Sequence, residues 1–166
     1  MIFYAAYGSN LNLKQMKSRC PNSKPFGKII LNNWRLVFKG VADLEKKMKN
    51  KAFLGIYKIT NACEKKLDMF EEYPTIYKKI TFNKIINGEN KKIMMYVMND
   101  KFDYAVPTEK YFSVIKKGYQ DWDFNLAYLK AAGSHSLDNN SLNGYKSKNW
   151  IAKNYINYDL INNFNS

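Results

Sequence analysis

The chain has 166 residues, a formal net charge of +13, and 46% hydrophobic and 16% aromatic residues. That length is most simply one domain, able to bury roughly 70% of its unfolded surface without staples, and the composition excludes a disordered chain. No apolar run reaches the ~18–20 residues of a membrane helix. The N-terminal "MIFYAAYGSN" has no basic region and is too short for a signal peptide, so a cytoplasmic location is expected. Arg19 and Arg35 are the only arginines among the 27 basic residues. Base and phosphate recognition favours Arg forks, so the charge does not argue for a nucleic-acid surface. Lys, Asn, Ile and Tyr share AT-rich codons, and a coding bias that filled the solvated faces explains the balance. Cys20 and Cys63 have no CxxC spacing and no His cluster beside them. Neither a disulfide framework nor a zinc site is expected, and both read as small buried hydrophobes.

In chain order, residues 1–7 form a short apolar strand that breaks into "YGSN". "LNLKQMKSRC" fits a short helix stopped by Pro21. Residues 28–40 alternate apolar and polar through Trp34, Leu36 and Phe38, a strand with a bulge at Asn32-Asn33. Residues 52–59 form another strand, in which Gly55 marks a close backbone approach. In "TNACEKKLDMFEE", Asn61 and Glu64 have the spacing of a capping box. Cys63, Leu67 and Phe70 then give one apolar helical face, closed by Pro74. "YKKITFNKII" and "KKIMMYVM" flank "NGEN", and Asn87-Gly88 predicts a hairpin. Two helices follow, the first from just after Pro107 to near Gly118. From about residue 133 the composition shifts to Asn, Ser and Lys with scattered aromatics. The pattern predicts an α+β domain over 1–132, with a mixed sheet, and an Asn-rich extension over 133–166 packed on it or loosely attached.

Two stretches could carry chemistry. In "YGSN", Gly8 can take a positive φ or let a ligand approach the backbone, and the amides after it can form a nest for an anionic oxygen. Ser9 and Asn10 could equally cap the next helix. In "LDMFEEYPTIY", two acids sit at a helix C-terminus, against its dipole, a local conflict of the kind that gathers at working sites. Glu71 lies four residues after Leu67 on the buried stripe, whereas Glu72, about 100° further round, points to solvent. Desolvation would raise the Glu71 pKa and make it a base usable near neutrality. His135, in "GSHSL", reads as an exposed loop residue.

Taken together, "YGSNL" at 7–11, "RCP" at 19–21, "WRLVFKG" at 34–40, "GIYKIT" at 55–60, "LDMFEEYPTIYKK" at 67–79 and "MYVM" at 95–98 occur in an order that resembles the γ-glutamylcyclotransferase-like family in its single-domain form. With Pro107 and Gly118-Tyr119 the resemblance covers about residues 1–130, and the tail has no counterpart in it. The resemblance implies a small barrel-like mixed sheet with flanking helices, and an enzyme that cyclises a γ-glutamyl amide to 5-oxoproline, releasing an amine. It implies Glu71 as general base and acid, and Tyr7, Gly8, Ser9, Asn10, Leu11, Tyr77 and Tyr111 as substrate-binding residues. No metal or other cofactor is implied, and the expected partner is a small γ-glutamyl substrate. Arg19 is expected to brace the loop. The chain departs from the family's Glu-Gly pair by placing Glu72 at the glycine, which leaves a non-catalytic ligand-binding or regulatory module as the alternative.

Overall fold

Five strands and five α-helices make up the computed structural model, which describes residues 1–164. The strands are β1 (Ile2–Ala6), β2 (Lys24–Phe38), β3 (Ala42–Ile59), β4 (Tyr77–Ile86) and β5 (Glu89–Met98). The helices are α1 (Leu13–Arg19), α2 (Asn61–Phe70), α3 (Glu109–Asp121), α4 (Leu126–Asp138) and α5 (Tyr158–Asn162). The sheet order is β2-β3-β1-β5-β4, so the short first strand lies at the centre. It pairs antiparallel with β3 and parallel with β5. A central strand covered on both faces must be apolar throughout, which explains why Tyr4, Ala5 and Ala6 are all buried. The sheet is mixed and flanked by helices, as the sequence pattern predicts. Its two edges curl toward each other: Ile86 of β4 stands 3.1 Å from where a Cβ on Gly27 of β2 would lie.

The hairpin β2–β3 is longer than the apolar pattern shows, because residues 45–51, charged or polar apart from an exposed Met48, are still extended. Its register shifts between Asn32 and Trp34, at the expected bulge, where Asn33 takes a φ of 62°. Asn87 and Gly88 both have positive φ, as a two-residue hairpin turn requires. The cap of α2 is Thr60 rather than Asn61: its hydroxyl accepts from the Cys63 amide at 3.2 Å while its own backbone is extended. The predicted close approach at Gly55 is filled by Trp122, whose ring would lie 2.6 Å from an added Cβ. The Trp122 indole N–H in turn donates to the Leu11 carbonyl at 2.8 Å.

Cys20 and Cys63 form a disulfide with their Cα atoms 5.4 Å apart, which corrects the expectation that they do not pair. Cys20 caps the C-terminus of α1 and Cys63 lies in the first turn of α2. Packing of α1 against α2 brings them together, and their separation of 43 residues gives no local sign of it. Both are buried. Helix α4 runs continuously through residues 132 and 133, where the composition changes, and His135 sits on it rather than in a loop, its ring 4.5 Å from that of Tyr104. Beyond α4 the chain returns along the domain: the amides of Ser141 and Tyr145 donate to Tyr104 and Lys39 carbonyls, and Ile156 and Ile161 are buried. Residues 165 and 166 lie outside the described residues. Among the described residues, no helix is long and apolar enough to cross a membrane.

Candidate active site

The chain leaves the central strand at Ala6 and turns at once through Tyr7 and Gly8 into a 3₁₀ turn at Ser9–Leu11. Gly8 has φ −112°, so a positive φ is not what it supplies. What matters is space, since a Cβ there would lie 3.2 Å from the Ala42 Cβ and 3.3 Å from the Tyr111 hydroxyl. The turn uses the carbonyls of Gly8 and Ser9 to accept from the Leu11 and Asn12 amides. The amides at its own start have no acceptor within the turn, as at any helix N-terminus. Neither Ser9 nor Asn10 caps α1; Asn12 does, accepting from the Gln15 amide at 2.9 Å. Ser9 and Asn10 are instead buried.

Asn10 is fixed from three sides. Arg19 donates to its side-chain oxygen at 2.7 Å and to the Ser9 hydroxyl at 3.2 Å, the bracing role expected of that arginine. With the oxygen so engaged, the Asn10 amide nitrogen faces the other way. It donates to Tyr4 at 3.0 Å and to Glu71 Oε1 at 3.3 Å. The Tyr57 hydroxyl holds the Asn10 backbone carbonyl at 2.8 Å. Glu71 caps the C-terminus of α2, and its amide donates to the Leu67 carbonyl at 2.8 Å. Burial pushes its carboxyl up from 4.5 to about 7, against the opposing pull of the Arg19 charge and the Asn10 hydrogen bond. Asn10 thus stands between a guanidinium and a carboxylate that make no direct ion pair among the described residues.

The tyrosines divide by where their protons go. Tyr7 donates to the Tyr96 carbonyl at 2.7 Å, and Tyr77 to the Ala42 carbonyl at 2.6 Å. The Tyr111 hydroxyl accepts from the Ala42 amide at 2.9 Å, and its proton has no acceptor among the described residues. Burial holds all three well above the usual phenol range, so they act as donors and not as bases.

A narrow cleft joins these groups, with Tyr7, Gly8, Ser9, Asn10, Glu71, Tyr77 and Tyr111 all on its walls. Leu11 is not on them. It is fully buried beneath the turn, against Gly118 of α3, so of the residues implied as substrate-binding it belongs to the core. Glu72 also differs from its expected place. Helix α2 ends at Phe70, and Glu72 takes a left-handed φ of 48°, which turns its side chain along the cleft, where its carboxylate accepts from the Tyr145 hydroxyl. Phe70 is 40% exposed, and its ring lies 4.5 Å from the Arg19 guanidinium. The sequence reading missed Tyr4, Val41, Ala42, Phe70 and Tyr96 on these walls, and also Tyr145, Ser147 and Trp150 of the C-terminal segment. The aromatics scattered through "GYKSKNW" were the one available signal.

A main-chain turn at the end of the central strand thus faces the Glu71 carboxyl, which burial raises to about 7, with the Glu72 carboxylate further along the same cleft. Residues 4–123 match the family described as "Gamma-glutamyl cyclotransferase, AIG2-like", and the chain belongs to that family. No curated protein sequence matches it. Among solved structures it is similar to a "Gamma-glutamyl cyclotransferase" at 20% identity and a TM-score of 0.69, over 97% of this chain and 98% of that one. It is similar to the human protein loc79017 at 20% identity and a TM-score of 0.68, with the same coverage. A third likeness, to YkqA from Bacillus subtilis, has 18% identity and a TM-score of 0.66 over 81% of this chain and 54% of that one. At these identities the likeness is one of fold. Because it reaches 97% of the chain, most of the segment after residue 133 does have a counterpart in the fold, which the sequence reading did not find.

Proposed function

We propose that the protein is a γ-glutamylcyclotransferase-type enzyme, an intramolecular aminoacyl transferase that converts a γ-glutamyl amide to 5-oxoproline and an amine. The observation that carries this reading is Glu71: a carboxyl brought to about 7 by burial, set by Asn10 against the Gly8–Asn10 turn. A γ-glutamyl amide contains its own nucleophile, the α-amine, and its own electrophile, the γ-carbonyl. The protein has to bend the substrate, and holding the two ends together can supply up to ~7–11 kcal/mol.

Glu71 as carboxylate takes a proton from the α-ammonium, and the freed amine attacks the γ-carbonyl carbon. The carbon–nitrogen bond of the lactam forms as the carbonyl oxygen becomes an oxyanion. Collapse of that intermediate breaks the original amide bond. Two protons leave the α-nitrogen and both end on the departing nitrogen, with Glu71 carrying them in turn. A group whose pKa lies near the working pH can do both jobs. In this reading the amides at the start of the Ser9–Leu11 turn and the uncommitted Tyr111 proton hold the oxyanion or the α-carboxylate.

The test is incubation of wild-type protein with a panel of γ-glutamyl amides, quantifying 5-oxoproline and free amine. Equimolar release of both from at least one amide is the expected result. Release of neither, with the intact amide still bound, would favour the non-catalytic binding module, and free glutamate in place of 5-oxoproline would contradict cyclisation.

A further inference from the structure

A carboxylate at position 72 is the least expected feature of the cleft. Its φ of 48° lies in the left-handed region that side-chain-bearing residues rarely adopt, and Glu72 stands at the glycine of the family's Glu-Gly pair. Such a conformation persists where the surroundings hold it. Glu72 has no cation partner among the described residues, and its contact is the Tyr145 hydroxyl. Tyr145 is itself firmly seated. Its amide donates to the Lys39 carbonyl at 2.9 Å, and its ring lies 5.4 Å from that of Phe102. Its carbonyl fills the space that a Cβ on Gly40 (φ 84°) would occupy, 2.0 Å away.

Between Tyr145 and the Asn154 carbonyl, which accepts from Glu109, the chain makes only a local backbone bond among the described residues, Trp150 to Ser147. This span nonetheless delivers Trp150 to the cleft, its ring 4.9 Å from that of Tyr111 and 5.7 Å from the Arg19 guanidinium. The span therefore covers the cleft between two backbone anchors, Tyr145 and Asn154, of which Tyr145 stands beside the cleft. On its far side lies a second, solvent-open hollow of about 590 Å³, whose wall shares Val41, Tyr145, Ser147 and Trp150 with the cleft. Ala105, Val106, Leu142 and Ile151 give that hollow an apolar lining, Lys146 and Lys148 are its charged residues, and none of its described lining residues is acidic.

We propose that Glu72 and Tyr145 are specificity-determining residues: they fasten the 146–153 span as a roof, with Trp150 forming the wall against the departing amine. The inference rests on the γ-glutamyl reading, which places the γ-glutamyl head at the turn and Glu71 and leaves the amine facing this roof. With the roof fastened, the cleft selects γ-glutamyl amides of slender amines. Released, the cleft opens into the hollow and admits amines with bulky apolar or anionic bodies. Diamines gain nothing there, because the hollow offers lysines and no carboxylate.

Glu72→Gly removes the carboxylate and suits the left-handed backbone; Tyr145→Phe removes only the hydroxyl. The experiment measures kcat/KM of wild type, both variants and the double variant on γ-glutamyl methylamide and on γ-glutamyl benzylamide. Each single variant is expected to raise the benzylamide-to-methylamide ratio about tenfold, with the double variant no higher, because either change undoes one contact. A ratio that stays within about twofold of wild type in all variants, or that multiplies in the double variant, overturns the proposal. Amide hydrogen exchange over residues 146–153 is read on the same proteins without any turnover. Faster exchange in both variants is expected, and unchanged exchange overturns the latch. If wild type cyclises neither these two amides nor any other of the panel while exchange responds, it is the γ-glutamyl reading that fails and not the fastening of the roof.

Discussion

Glu71 carries its proton more tightly in the folded chain than it would unfolded, because burial outweighs Arg19 and Asn10 in raising its carboxyl from 4.5 to about 7. For a carboxyl raised in this way, the contribution to stability is complete below the unfolded value of 4.5 and is lost as pH rises through about 7. The shift from 4.5 to about 7 corresponds to roughly 3 kcal/mol. Glu71→Gln keeps an oxygen for Asn10 and has no charge to bury. It is expected to match wild type in denaturant unfolding at acidic pH and to exceed it by up to roughly 3 kcal/mol on the alkaline side of neutrality. A variant no more stable than wild type at alkaline pH would mean that the carboxyl is better solvated than its surroundings indicate. The position of Glu71 on the buried side of α2 was legible from its spacing to Leu67. That of Glu72 was not, because helical geometry was extended two residues past Phe70, where the backbone has already turned left-handed.

Elements were legible where chain-local chemistry sets them. Asn87-Gly88 marks its hairpin because few other residues accept positive φ at both positions, and Gly55 marks the place where Trp122 crosses β3. The charged half of the β2–β3 hairpin was not, since strands beyond the core have no apolar alternation to show. The pairing of α1 with α2 was equally silent, being a contact between distant segments. Their disulfide closes a separation of 43 residues, for which loop closure alone gives roughly 4 kcal/mol. It also ties the helix that ends in Arg19 to the helix that Glu71 caps. Reduction, or Cys63→Ser, is therefore expected to cost roughly 2–4 kcal/mol in unfolding and to slow turnover. Thiol titration of denatured, unreduced protein should find no free thiol among the two cysteines, and two titratable thiols would contradict the bond.

For the whole molecule, the order of motifs was enough to anticipate a mixed sheet with a turn and a carboxyl facing each other, because both follow regular elements whose packing the family shares. What the motifs did not show is that the Asn-rich C-terminal segment completes the site. Its backbone hydrogen-bonds to Lys39, Tyr104, Pro107 and Glu109, and such contacts leave no side-chain pattern. Trp150 and Tyr145 sit on that segment, so the cleft is assembled from both ends of the chain. The account as a whole stands on one exchange of protons at Glu71. The most direct measurement is the initial rate of 5-oxoproline formation by wild type and by Glu71→Gln, on the amide that wild type turns over best, with both proteins shown folded by circular dichroism. The account predicts steady turnover by wild type and a loss of at least about a thousandfold in the variant, the scale at which general acid and base catalysis acts. Equal rates in the two proteins would contradict it.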